Sequence, residues 1–182
     1  MSNEEKNRIL KPKVHESVFV AEGARIYGDV EIGEGSSVWF NAVIRGDEGK
    51  INIGTNTNIQ DNVVVHSDMM VGTQIGNDTT IGHGAVIRGC RIGNNTMIGM
   101  NSTVMTNAEI GSDSVVAANT FVPYNKKFPP RSLIMGLPAK RIRELRKEEV
   151  GAGRIAAQIY KKLIDMYTKQ QILGYAKIQE ND

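Results

Sequence analysis

Over most of its length this chain carries an aliphatic residue at every sixth position, and few folds accept that period. Eighteen hexapeptides begin at Val14, Val20, Ile26, Ile32, Val38, Ile44, Ile53, Ile59, Val65, Ile75, Ile81, Ile87, Ile92, Ile98, Val104, Ile110, Val116 and Val122. Three places after the leader stands Gly, Asn or Asp in sixteen of the eighteen, Ser17 and Cys90 being the exceptions. Those residue types tolerate left-handed backbone, so the spacing predicts a corner in every hexad. One place further the residue is commonly small or branched (Ala24, Ala42, Thr57, Ala85, Ser102, Ser114), which suits an inward position beside the leader. A short strand and a corner, repeated, describes an all-β solenoid.

Three hexads to a triangular turn give about six turns, and stacking at about 4.8 Å makes a prism roughly 29 Å long. Its interior is expected to be a column of Ile and Val in which each turn touches mainly its neighbours. The period breaks three times, between Ile44 and Ile53, Val65 and Ile75, and Ile87 and Ile92. With the faces numbered from Val14, every break follows a third-face hexad, in turns two, three and four. The small-residue place fails there too, at Glu48, Met69 and Arg91. Loops that leave a rigid scaffold at one point are where function is built, so that corner is the candidate site.

The repeat is expected to occupy residues 14–127, after an N-terminal segment 1–13. Residues 128–143, with Phe128-Pro129-Pro130 and Gly136-Leu137-Pro138, read as an extended crossing segment. A C-terminal helix and tail is expected over 144–182, its apolar stripe formed by Ile155, Ile159, Leu163 and Tyr167 with Tyr160 and Ile164 beside them. Gly151 and Gly153 weaken its start, and residues 172–182 are polar enough to fray.

Charge excludes some classes. Twenty-two basic against twenty acidic residues, with no basic run, point to neither nucleic acid nor a membrane surface. No apolar stretch reaches membrane-span length, and Met1 to Leu10 lacks a signal-peptide core. One cysteine, Cys90, cannot form an internal disulfide and fits a reducing compartment. The expectation is a cytoplasmic protein.

The register states which side chains meet. Arg45, His66 and Arg88 each follow a third-face leader by one place, in turns two, three and four, and so form a ladder on one face. Asp61 and His83 each follow a second-face leader by two places and stack on another face, with Gln60 preceding Asp61. A six-residue edge separates the two histidines within one chain. They meet only where face three of one subunit touches face two of another, as a cyclic trimer provides.

Arg45-Gly46-Asp47-Glu48-Gly49, Asn58-Ile59-Gln60-Asp61, Val65-His66, Ile81-Gly82-His83-Gly84, Gly89-Cys90 and the closing Gly136-Leu137-Pro138-Ala139-Lys140 come in order and in register. This series resembles that of the gamma-class carbonic anhydrases. The resemblance implies a left-handed parallel β-helix, a homotrimer, and zinc held at the subunit interface by three histidines. Two of these match His66 and, from a neighbouring subunit, His83. By the same resemblance Arg45 pairs with Asp61 across the interface, and Asp47 and Gln60 orient a metal-bound hydroxide or bicarbonate. Glu48 matches a proton-shuttling glutamate, and Tyr160 a pocket tyrosine on the terminal helix.

The third ligand position holds Arg88, in an Arg88-Gly89-Cys90 triplet where the family has His-Gly-Cys. A guanidinium offers no lone pair and stays charged. Two imidazoles facing a cation fall short of the three protein ligands of a catalytic zinc. Asp68 and Cys90 are the nearest substitute ligands, although for Cys90 the usual burial of a free cysteine favours a packing role. The expectation is therefore a gamma carbonic anhydrase-like homotrimer whose hydration of carbon dioxide is impaired. Two alternatives stay open: a hexapeptide-repeat acyltransferase using an acyl-coenzyme A donor and a histidine base, and a non-catalytic trimer binding a small anion such as bicarbonate.

Overall fold

The computed structural model describes residues 10–69 and 71–169. It is a parallel β-solenoid of about seven turns with one C-terminal helix. Each face contributes strands of mostly two or three residues, and every leader lies opposite the leader one turn on. On face two the column reads Val20, Val38, Ile59, Ile81, Ile98, Val116. On face three it reads Ile26, Ile44, Val65, Ile87, Val104, Val122. Face one runs Val14, Ile32, Ile53, Ile75, Ile92, Ile110. The inserted residues at the third corner leave this register intact.

The leaders from Ile32 to Val122 are all buried, ten of them at 0% exposure. At the start of the coil Val14 and Val20 remain exposed. An interior of this kind is a stack of aliphatic layers, each sealed by the next, so one cavity-forming change is felt locally at full cost.

The coil does not stop at six turns. Phe128 pairs with Ile110 and Ile134 with Val116, which extends faces one and two by a further layer. The segment expected to cross as an extended chain instead forms an antiparallel hairpin, Ser132–Gly136 against Ala139–Glu144. An aromatic leader and a Pro-rich corner hid this layer from a count of Ile and Val. A 3-10 turn, Lys147–Glu149, precedes the helix, whose bounds are Ala152–Thr168 rather than a start near Glu144. The rest of the expected tail, 170–182, lies outside the described residues.

The helix packs on face two through only part of the stripe that its apolar residues suggested. Ile155 and Ile159 are 54% exposed. The buried positions are Gly153 and Ala157, continued by half-buried Tyr160, Ile164 and Tyr167. A Cβ on Gly153 would stand 2.4 Å from the Thr96 carbonyl oxygen, so only glycine lets the helix backbone come this close. Its own carbonyl accepts from Thr80 Oγ1 at 2.9 Å. Gly151 caps the helix at φ 96°, another place where a side chain would be strained. Among the described residues no helix is long and apolar enough to cross a membrane.

Most corners follow the expected chemistry. Asn95, Asn101, Asn107, Asp113, Asn119 and Asn125 have φ between 56° and 61°. The exceptions gather at the third corner. Asp29, Asp47, Asp68 and Cys90 stand outside the left-handed region, and Gly28 and Gly89 take it at φ 81° and 54°. The small inward place has not failed in these turns. It is filled two residues before the next leader, by Ile51, Thr73 and Cys90, all fully or nearly fully buried.

Candidate functional site

The broken corners of turns two, three and four assemble one charged cluster on face three. Arg45 lies opposite His66, and His66 opposite Arg88, as the register required. His66 is nearly buried, and its Nε2 is 3.0 Å from Asp47 Oδ1. The other oxygen of Asp47 accepts from the Arg45 guanidinium. The His66 hydrogen bond first, and then Arg45, hold the Asp47 carboxyl down at about 2 against the opposing effect of burial. An ionised carboxylate only accepts, so His66 Nε2 carries the proton and is committed to Asp47.

Arg88 draws the three breaks together. Its Nη2 is 3.8 Å from Glu48 Oε2 in the first break, and its Nε is 3.5 Å from Asp68 Oδ2 in the second. Thr106 Oγ1 donates to the same Asp68 oxygen at 2.7 Å. That hydrogen bond, followed by the charge of Arg88, lowers the Asp68 carboxyl. The guanidinium is thus flanked by two carboxylates at ion-pair distance, while its buried Nε makes no hydrogen bond.

A second cluster stands on face two. Asp61 Oδ2 is 2.7 Å from His83 Nδ1, and the Gln60 side-chain oxygen accepts from the His83 backbone N–H at 3.1 Å. The Tyr160 hydroxyl is 3.0 Å from His83 Nε2. Burial, and then the charge of Asp61, raises the Tyr160 phenol above its ordinary range. Tyr160 is seated edge-on against Trp39, ring centroids 4.9 Å apart, and Trp39 Nε1 donates to Ser37 Oγ at 3.0 Å. Trp39 was not among the expected site residues. The column count that stacks Asp61 on His83 also stands Trp39 beside Gln60, so the signal was present.

The nine positions singled out in sequence therefore form two groups, Arg45, Asp47, Glu48, His66 and Arg88 on one face, and Gln60, Asp61, His83 and Tyr160 on another. Within one chain, Asp61 is engaged by His83 and Arg45 by Asp47. Cys90 is removed as a substitute ligand: its side chain is 1% exposed inside the aliphatic core, and burial pushes the thiol up to about 12.

Known proteins with the same pattern settle the family. A model of the bacterial transferase hexapeptide (six repeats) matches residues 11–46 and 89–123, and one of the hexapeptide repeat of succinyl-transferase matches 72–105. Gamma carbonic anhydrase 2, mitochondrial, of Arabidopsis thaliana is 36% identical over 174 residues, which is 92% of this chain and 63% of that protein. A probable carbonic anhydrase of Methanocaldococcus jannaschii is 49% identical over 150 residues, 82% of this chain and 94% of that one. The chain belongs to the gamma carbonic anhydrase-like hexapeptide-repeat family. Among solved structures, a hexapeptide transferase family protein from Anaplasma phagocytophilum superposes with a TM-score of 0.82 at 40% identity, covering 86% of this chain and 92% of its own.

Gamma carbonic anhydrase relatives imply a metal, and within one chain the side chains do not complete a zinc site. Among the described residues no group of three or more His, Cys, Asp or Glu converges as a metal-binding set. Across a subunit contact the supply would be two imidazoles, one of them with Nε2 already on Asp47. The third ladder place is a guanidinium, which repels a cation. Asp68, the remaining substitute, is held by Thr106 and Arg88.

Proposed function

We propose that this chain is a gamma carbonic anhydrase-like homotrimer in which faces two and three of neighbouring subunits meet, and in which zinc-dependent hydration of carbon dioxide is lost or strongly impaired. The observation that carries this reading is the pairing of Arg88 with His66 in the strand register, one rung from the histidine it should assist. A metal site built there would need a third lone pair where the chain supplies a charge. Arg88 instead stands within ion-pair distance of Glu48 and Asp68.

The test is Arg88→His. Elemental analysis of the parent should find well under one zinc per chain, and carbon dioxide hydration should be at background. The variant should gain zinc and activity with the trimer unchanged, since the new imidazole would stand on the same ladder as His66. A parent that carries full zinc and hydrates carbon dioxide would overturn the reading.

A second reading, a hexapeptide acyltransferase, is favoured by one feature. Asp61 at 2.7 Å from His83 Nδ1 orients the ring and leaves the Nε2 lone pair outward, where the Tyr160 hydroxyl meets it. An imidazole so held is a competent general base for an acceptor hydroxyl or amine, with the thiol of the acyl donor as leaving group. Turnover of acetyl-coenzyme A that disappears in His83→Ala and persists in Arg88→His would favour this reading over the first.

A further inference from the structure

On face one the residues just before each leader point outward and stack in register: Lys13, Glu31, Asn52, Gln74, Arg91, Glu109, Lys127. Both ends of this ladder are neutralised by their neighbours. Glu31 takes Lys13 and Lys50 at 3.3 and 3.0 Å, and Glu109 takes Lys127 at 2.7 Å. The middle is different. It presents two amides and then Arg91, which is exposed and makes no ion pair among the described residues.

The same place is recessed, and the sequence break explains why. The third corner of turn four is one residue short, between Ile87 and Ile92, whereas turn three carries extra residues between Val65 and Ile75. Gly89 and Cys90 therefore lie back from the surface, both buried, behind the longer loop at Gly72 and the regular corners at Asn107 and Asn125. The result is a cleft of about 780 Å³, within the size range of small-molecule sites. Its walls hold three cations, Lys50, Arg91 and Lys127, against the single carboxylate of Glu109. The side-chain amides of Asn52, Gln74, Asn107 and Asn125 make no hydrogen bond among the described residues, unlike the corner amides of Asn77 and Asn94, which accept backbone N–H groups at 2.9 Å.

We propose that this cleft binds a small molecule carrying two or more negative charges, either phosphorylated or polycarboxylate. Arg91 supplies a charge held in no ion pair, felt only at longer range by Glu109 one rung on, and a planar pair of donors matched to an oxyanion. The free amides supply further N–H groups, and the two rim lysines, held only by exposed ion pairs of little net strength, re-aim toward the ligand. A concave site with an excess of one sign concentrates ligands of the other. The site lies on face one, is lined by neither Arg88 nor His83, and stands whether or not those residues do chemistry.

Isothermal titration of the full chain with inorganic pyrophosphate, and separately with citrate, tests this. At least one should bind saturably at millimolar concentration or below, more weakly as salt rises. Binding of pyrophosphate alone assigns a phosphorylated ligand, and binding of citrate alone a polycarboxylate. Arg91→Ala should weaken it about tenfold or more, Arg91→Lys less, and the exposed Lys126→Ala not at all. Lys50→Ala combined with Lys127→Ala is the second variant, and should also weaken binding while leaving the thermal midpoint close to the parent's. No binding of either anion, or binding untouched by Arg91→Ala, would overturn the proposal. Because the readout is anion binding and not hydration of carbon dioxide, loss of the proposed carbonic anhydrase-like reading leaves this result interpretable.

Discussion

Turns five and six and turns two to four are built from the same hexad, yet only the second set gathers chemistry. In the later turns the third corner is Asn107 or Asn125 in left-handed backbone, exposed and without a charged partner. In the earlier turns that corner loses the left-handed residue or shifts it to Gly89, gains or loses a few positions, and brings together Arg45, Asp47, Glu48, His66, Asp68 and Arg88. The aliphatic column behind both is identical. A repeat scaffold can therefore change a corner at will as long as the leaders keep their places, since the stability sits in the stacked layers and not in the loops.

That contrast breaks most visibly in the core. Ile98→Ala in a regular turn and Ile87→Ala beside a broken corner should each cost about 2–5 kcal/mol, because both side chains are fully buried. Chemical denaturation of the two variants would show it. An Ile87→Ala cost well below that of Ile98→Ala would mean that the altered corner loosens the layer behind it.

A smaller effect separates the corners themselves. Asn101 at φ 57° should lose about 1–2 kcal/mol on replacement by alanine and almost nothing on replacement by glycine. Asp29 holds the equivalent place in its hexad but stands outside the left-handed region, so Asp29→Ala should stay within about 0.5 kcal/mol. Equal costs in thermal unfolding would erase the distinction drawn between the two kinds of corner.

The smallest expected effect is on acid stability. The Asp47 carboxyl is held at about 2, below the usual carboxylate value of about 3.9. A depressed carboxylate contributes stability that is complete above its unfolded value and is lost as pH falls through the folded one. Asp47→Asn should therefore flatten part of the fall in thermal midpoint between about pH 4 and pH 2. Glu109→Gln, which removes an exposed pair with Lys127 in the regular turns, should flatten it less. A larger change from Glu109 would place the stronger electrostatics in the wrong turns.

Much of this was legible in the residues. A period of six carried by Ile and Val states the register directly, because a leader one place out of phase would turn its side chain to water. From that register the ladder Arg45–His66–Arg88 and the pair Asp61–His83 followed by counting, and both are found. Counting forward from each leader misled where the chain had gained or lost residues. Cys90 was counted as a corner residue, and it is an inward one, in the packing role favoured for it, placed by the leader that follows it. The helix misled for a related reason. Apolar spacing favoured Ile155 and Ile159, whereas close approach selected Gly153 and Ala157, which carry almost no hydrophobic signal.

By itself, then, the sequence determined the solenoid, its register and the column on which each ionisable residue stands, since these follow from local periodicity and strand geometry. Only the tertiary structure decided which charges meet. Glu48, Asp68 and Arg88 come from three different breaks, and their contacts depend on how far each irregular corner reaches, a property of loop length and backbone path that no period encodes. The recessed cleft beside Arg91 has the same origin, because a missing residue makes a hollow only when its neighbours above and below are present to wall it in.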